Sequence, residues 1–474
     1  MNIKNIKGIV LLGLIVSIGL PSCQLTNKYQ SPEIDTAGLF RDENPVDTTT
    51  IANIPWREYF SDPILQGLIE EGLANNFDLQ MSFARIKQAE ASLSMARAAY
   101  FPTVALVGSV TQNRASSYDP ITKVLGEKNV LGYHGEQYSL GISATWEADI
   151  WGKLNRESRA SYADFLNSHA AKNLVQTSLI SNIATSYYTL LTLDDQLRIS
   201  LETIELLKET VTTMQALMDA GMLNAAAVEQ SKSLLYNTQV SIPDLESNIR
   251  QMENSICVML GRKPGPIFRG SIQEQIVPEI FDHGIPAQML AKRPDVQSAE
   301  LSFRSAFELK NAAQASFYPS ITLGTGSMIG YGSTTLSQFF RPENIFANII
   351  GSISQPIFAK KQLIGQLKIR KAQEEEAFLG FQKAVLTASQ EVSDVLFAYK
   401  ASISKNDTRT QQVESLGKAV YFTKELLKAG EANYTEVLTA EQNYLQAQLG
   451  QTSDKLEQLQ ASVNLYRALG GGME

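Results

Sequence analysis

Few residues in this 474-residue chain carry reactive or metal-binding groups, and their spacing limits what they can do. The three histidines, His134, His169 and His283, lie far apart and form no ligand-spaced pair, so no histidine-based metal site is expected. The two cysteines, Cys23 and Cys257, form no disulfide framework. Cys257 sits in the apolar run Ile256-Cys257-Val258-Met259-Leu260, where a buried, inert thiol is expected. Met214, Met218 and Met222 recur at i, i+4 and i+8. Three thioethers on one helical face make a soft ligand set for Cu(I). The plainer reading is a flexible apolar stripe near a turn, so no metal site is assigned and the three stand only as candidates. There is no phosphate loop, nucleophile elbow or recognisable paired-carboxylate motif. No catalytic residue is named, no cofactor is expected and the chain is not expected to be an enzyme.

Charge and leader sequence place the protein. Lys plus Arg number 41 against 49 Asp plus Glu, a net charge of −8, which argues against nucleic acid as partner because phosphate binding needs clustered positive charge. Lys4 and Lys7 precede the apolar stretch Gly8–Leu20, the pattern of a secretory signal. It ends in Leu20-Pro21-Ser22-Cys23, which resembles the bacterial lipobox. Cleavage before Cys23 and a covalent lipid on its thiol are expected. Gln24, not Asp, follows, which in many diderm bacteria permits transfer to the outer membrane. After residue 22 no apolar run reaches the roughly 18 residues of a membrane helix.

The elements that position these residues come in two copies. Asp219-Ala220-Gly221 matches Lys428-Ala429-Gly430 at an offset of 209, and Leu260-Gly261 matches Leu469-Gly470 at the same offset. Ala99-Tyr100-Phe101-Pro102-Thr103-Val104 matches Ser316-Phe317-Tyr318-Pro319-Ser320-Ile321 at 217. Ile150-Trp151-Gly152-Lys153-Leu154 resembles Ile357-Phe358-Ala359-Lys360-Lys361 at about 207. The division is a signal peptide over 1–22, an N-terminal lipid-anchored segment over 23–74, a first repeat over 75–265, a linker over 266–289 and a second repeat over 290–470. Strands are expected over about 103–113 and 137–148, and again over 320–330 and 345–356. Long helices are expected over about 153–219, 224–260, 361–428 and 433–469.

The strands alternate with period two. Tyr138, Leu140, Ile142, Ala144 and Trp146 share one face, and Gln137, Ser139, Gly141, Ser143 and Thr145 the other. Ile321 and Leu323 oppose Thr322, Gly324 and Gly326; Ile349 and Ile353 oppose Asn348, Ser352 and Ser354. One apolar and one small-polar face suits a membrane β-barrel, although a soluble sandwich alternates in the same way. Four strands cannot close around a lumen, so several chains must contribute. The run from Lys153 to Asp219 holds no proline, and a single helix there would be about 100 Å long at about 1.5 Å per residue. Leu445, Leu449, Thr452, Leu456, Leu459, Val463 and Tyr466 step in fours and threes, the seam of a coiled coil. Pro243 falls inside an expected helix and should kink it.

Together these features resemble the TolC-like outer membrane efflux family, in its lipoprotein branch (the OprM or NodT type). The resemblance covers nearly all of the mature chain. It is carried by Trp56-Arg57-Glu58-Tyr59-Phe60-Ser61-Asp62-Pro63, by Trp146–Leu154, by Leu260-Gly261-Arg262-Lys263-Pro264-Gly265 and by Leu290-Ala291-Lys292-Arg293-Pro294-Asp295-Val296. It implies an α+β membrane protein: a homotrimer whose four strands per chain close a 12-stranded barrel, continued by a long α-helical coiled-coil periplasmic tunnel. It further implies an outer membrane channel of a tripartite system, working with a periplasmic adaptor (membrane fusion) protein and an inner-membrane pump of RND type. The channel would be a passive exit for small toxic compounds or drugs. The hairpin tips, with Gly221 and Gly430, would form the periplasmic mouth and meet the adaptor. Thr435, Glu436 and Thr439 match positions that narrow the closed tunnel, and Glu436 would recur as a ring of three carboxylates. The alternative reading of Glu436 is a solvated acid early in a helix, where the dipole favours it. Thr439 departs from the acidic residue that many relatives carry. Two other functions stay open at this point: the outer component of a type I protein-secretion system, and a non-conducting coiled-coil structural lipoprotein.

Overall fold

The computed structural model describes residues 27–33, 54–114, 134–277, 292–324 and 326–473. The signal peptide, Cys23 and His283 lie outside the described residues. A helical turn over Trp56–Tyr59 leads into α1 (Pro63–Asn75) and α2 (Phe77–Ala98), then strands β1 (Thr103–Arg114) and β2 (His134–Ala148), then α3 (Lys153–Asp219) and α4 (Ala225–Met259). The order then recurs as α5 (Pro294–Ala315), β3 (Ser320–Leu323), β4 (Met328–Ser333), β5 (Ile345–Asn348), β6 (Gly351–Ser354), α6 (Gln362–Lys428) and α7 (Tyr434–Ala468). Both α2 and α5 have 22 residues, α3 and α6 have 67, and α4 and α7 have 35. The internal repeat is therefore one of structure as well as sequence.

Hydrogen bonds align the two copies rung by rung. Thr103 Oγ1 donates to the Thr145 carbonyl at 3.2 Å, and Ser320 Oγ donates to the Ser354 carbonyl at 3.2 Å. Trp146 Nε1 donates to the Tyr100 carbonyl at 2.8 Å, and Gln355 Nε2 donates to the Phe317 carbonyl at 3.1 Å. Both pairs superpose with an offset of 217 on the first strand and 209 on the second. The looser alignment at about 207 is thereby displaced by two residues. Gly152, at φ 76°, corresponds to Lys361, at φ 65°, and each directly precedes a 67-residue helix.

The chain forms two compact units. One takes in the described residues within Met1–Pro32, Lys87–Leu166 and Glu300–Gly380, and holds the sheet. β2 is its spine. It pairs with all of β1 on one edge, and on the other with β4 along Tyr138–Ser143 and with β3 along Trp146–Ala148. β5 pairs with β4, and β6 with β3, all antiparallel. Val104, Leu106 and Val110 stand on the face of Ile142 and Trp146, all exposed. The opposite face carries small hydroxyls: Ser109 meets Ser139 at 2.6 Å and Thr322 meets Ser352 at 2.7 Å. Each strand of the second repeat is interrupted, where unbroken strands over 320–330 and 345–356 were expected. Gly324, at φ 97°, is the reason: a Cβ there would lie 1.9 Å from the Ala144 carbonyl oxygen. Only glycine holds that conformation and that contact together. The same unit holds a buried cluster in which Arg156 Nη1 meets Glu308 Oε2 at 2.6 Å and Arg159 Nε lies 3.3 Å from Glu308 Oε1.

The second unit is made of the described residues within Glu33–Ile86, Asn167–Ala299 and Phe381–Glu474. Its core is aromatic and aliphatic: Trp56, Phe60, Leu65 and Ile69 pack with Ile183, Tyr187, Ile256 and Tyr466. Tyr59 stacks on Tyr466 at 4.3 Å, and its hydroxyl donates to the Ser462 carbonyl at 2.8 Å. Cys257 is fully buried here. The α7 seam points inward, with Leu445, Thr452, Leu459, Val463 and Tyr466 all buried. α4 runs on through Pro243. Among the described residues no helix is long and apolar enough to cross a membrane.

Candidate functional site

The two hairpin tips are built alike. α3 and α6 each end on a glycine in the left-handed region, Gly221 at φ 74° and Gly430 at φ 76°. The Gly221 and Met222 amides donate back to the Met218 and Leu217 carbonyls, both at 2.9 Å; those of Gly430 and Glu431 donate to Leu427 and Leu426 at 3.0 and 2.9 Å. These paired bonds satisfy the last carbonyls of a helix and favour glycine at the turn, where the backbone is left-handed. The next helix starts on an asparagine cap in both. The Asn224 side chain accepts from the Ala227 amide at 3.2 Å, and that of Asn433 from the Thr435 amide at 3.3 Å. Behind the turns, Met214 from the first hairpin packs with Val228, Leu427 and Val437, and Met218 packs against them. Each such buried side chain contributes about 1.5–3 kcal/mol.

The structure separates the residues singled out at the tips by exposure. Thr435, Glu436 and Thr439 are exposed on one side of the first turns of α7, whereas Val437, Ala440 and Glu441 are buried. Glu436 lies in the first turn, where the helix dipole favours an acid. The three methionines do not form one helical stripe. α3 stops at Asp219, so Met222 falls beyond the Gly221 turn and is 57% exposed, while Met214 is buried. Among the described residues no cluster of His, Cys, Asp and Glu could hold a metal ion.

Glu441 is a residue that reading the sequence missed. It is buried, yet its Oε1 accepts from Thr210 Oγ1 at 2.6 Å and meets Lys424 Nζ at 2.7 Å. One carboxylate thus joins α3, α6 and α7 just behind the tips. The partner Thr210 is 231 residues away in sequence, and a lone Glu in a polar helix gives no signal of such a contact.

The sequence profile described as outer membrane efflux protein matches residues 68–262 and again residues 285–471. The chain belongs to the outer membrane efflux protein family. The two matches begin 217 residues apart and end 209 apart, the offsets at which the helices repeat. SilC of Salmonella typhimurium, named a probable outer membrane lipoprotein, is 28% identical over 419 residues, 88% of each chain. TtgC of Pseudomonas putida, named a probable efflux pump outer membrane protein, is 29% identical over 467 residues, covering 96% of this chain and 93% of that one. A crystal structure of CusC superposes with a TM-score of 0.82 at 25% identity, covering 94% of this chain and all of that chain; CusC of Escherichia coli is named a cation efflux system protein.

The fold is that of the trimeric TolC-like channels, with the six strands of the sheet making two unbroken and two interrupted strands to a chain. Membership places the protein in the outer membrane. In this family setting the motif Arg293-Pro294-Asp295 opens α5. The Arg293 guanidinium donates to Asp295 at 3.0 and 2.9 Å, to Glu391 on α6 at 2.6 Å and to the Ala468 carbonyl at the end of α7 at 2.7 Å. Burial works against the charge on Asp295 and Glu391, but the hydrogen bonds and the positive charge of Arg293, joined at Glu391 by those of Arg467, together outweigh it and hold both carboxyls below their ordinary range.

Proposed function

We propose that the trimer is the passive exit duct of a tripartite efflux system, carrying small toxic compounds or drugs delivered by an inner-membrane pump of RND type through a periplasmic adaptor. The observation that carries this reading is the two-faced sheet, apolar outside and hydroxyl-lined inside, with its outer strands left unpaired in one chain. Such strands need other copies and enclose water. We assign the chain no catalytic step; the energy belongs to the pump. Cys23 carries the lipid that anchors the N-terminus. Gly221 and Gly430 set the turns that face the adaptor. Thr435, Glu436 and Thr439 line the narrowing, and three Glu436 carboxylates form a ring that favours cations. Met214, Met218 and Met222 serve packing and the turn, and bind no metal. TtgC, named for an efflux pump, and CusC, named for cation efflux, support export as the class of function, while a wide aqueous duct leaves the selection of cargo to the pump.

The test is retention of a fluorescent pump substrate in cells deleted for this gene, with the native adaptor and pump present. Restoring the wild-type chain should lower retention several-fold. Retention unchanged by a correctly inserted trimer contradicts the reading.

A further inference from the structure

The two junctions between sheet and long helix differ in charge. Residues 354–373 carry five basic side chains, Lys360, Lys361, Lys368, Arg370 and Lys371, and no acid, in a chain of net charge −8. The corresponding residues of the first repeat, 145–164, carry three basic and four acidic side chains. Those three bases are matched. Lys153 meets Glu147 at 3.2 Å, and Arg156 and Arg159 both meet the buried Glu308. In the second repeat Arg370 donates to Gln373 at 3.0 Å, whereas Lys360, Lys361, Lys368 and Lys371 are exposed and form no ion pair among the described residues. The next acid along the chain, Glu374, is already held by Lys310 at 2.6 Å.

The backbone at this junction is costly for lysine. Lys360 and Lys361 stand at φ 47° and 65°, in the left-handed region, where the first repeat has Gly152. The turn alone favours glycine, so what lysine adds is charge. Immediately before the pair, Ile357 is 99% exposed, Phe358 is 84% exposed, and Ile353 on the apolar face is 74% exposed. An apolar wall that ends in this way marks the edge of the hydrocarbon. The headgroup layer beyond it is about 5–8 Å deep on each side of a bilayer. α6 begins at Gln362, so Lys368 lies about 9 Å along it at about 1.5 Å per residue. Lys368 and Lys371, three apart, share one face, and their long stems can carry the ammonium groups back towards the headgroups. We infer that Lys360 and Lys361, backed by Lys368 and Lys371, form a binding site for the phosphate of an anionic glycerophospholipid at the periplasmic edge of the sheet. Charge complementarity selects that occupant. Four ammonium groups without a protein counterion favour a net-negative headgroup, while a zwitterionic one brings a cation of its own. Around the trimer three such patches alternate with three charge-matched junctions.

The test uses purified, lipidated trimers in nanodiscs of equal parts phosphatidylglycerol and phosphatidylethanolamine, with the lipids that stay bound weighed by native mass spectrometry. The wild type should retain phosphatidylglycerol at least several-fold over phosphatidylethanolamine. Lys360→Gly with Lys361→Gly eases the turn while removing the charge, and should bring the ratio close to parity at unchanged trimer yield. Lys383→Gln with Lys418→Gln removes the same charge elsewhere on α6 and should leave the ratio as it is. Parity in the wild type, or an unchanged ratio in the glycine variant, overturns the site. An equal drop in the control variant assigns the preference to overall charge and overturns it as well. If the glycine variant does not assemble, Lys368→Gln with Lys371→Gln reads the same site from the helix, and an unchanged ratio there overturns it. The inference concerns lipid contact and not conduction, so its failure leaves the exit-duct reading standing.

Discussion

Single residues divide between those whose role shows in local spacing and those whose role needs a distant partner. Gly221 and Gly430 belong to the first kind, because a turn between two long periodic runs calls for glycine whatever else surrounds it. Glu308 and Glu441 belong to the second: their partners Arg156 and Thr210 stand 152 and 231 residues away. Arg293 shows both. Its motif carries the family resemblance in the sequence, but its bond to Glu391 on α6 is not legible there. That cluster has a pH signature. The folded-state pKa values of Asp295 and Glu391 lie below the ordinary carboxylate range, so their stabilisation is fully present above that range and is lost as the pH falls through the depressed values. The melting temperature of the trimer should hold steady from neutral pH to about 5 and fall below about 4. Arg293→Met should lower the plateau and flatten the acid limb; an acid limb as steep as that of the wild type would contradict this role.

Elements were legible where their signal was long, and obscure where an irregularity preserved the period. The absence of proline from Lys153 to Asp219 and the coiled-coil seam of α7 are properties of many residues at once, and no single contact alters them. The breaks in the second-repeat strands were hidden for a definite reason. The register with the paired strand shifts by two across residues 324–327, so Ile329 still stands on the face of Ile321 and Leu323. An insertion of two keeps alternation intact, and Gly324 and Gly326 then read as ordinary members of the small-polar face. The two kinds of glycine should respond differently to substitution. Nothing lies within 4 Å of a Cβ placed on Gly430, so Gly430→Ala should cost only the left-handed backbone penalty of about 1–2 kcal/mol. Gly324→Ala would drive a methyl into the Ala144 carbonyl and should prevent the sheet from assembling. Heat-modifiable gel mobility and thermal unfolding separate the two outcomes. Comparable trimer yields for both variants would contradict the distinction.

At the scale of the whole molecule, one chain is visibly incomplete. Its sheet has open edges, its strands expose Val104, Leu106 and Ile353, and its long helices expose large apolar residues such as Phe397 and Tyr421. Repeated units that each bury too little reach stability by closing a ring. Duplication within the chain means that three copies suffice to make a ring of six repeats. The family and fold could be read from ordered motifs; the residues that tie helix to helix could not, since they follow from packing. The central claim is that this ring conducts and is narrowed at its tips by acids. The most direct measurement is single-channel current from purified, Cys23-lipidated trimers in planar bilayers, with Glu436→Gln in parallel. The account predicts small, cation-selective steps in the wild type, with selectivity weakened at least several-fold in the variant. Silent bilayers containing verified, inserted trimers would contradict the duct, and steps of unchanged selectivity would remove Glu436 from the narrowing.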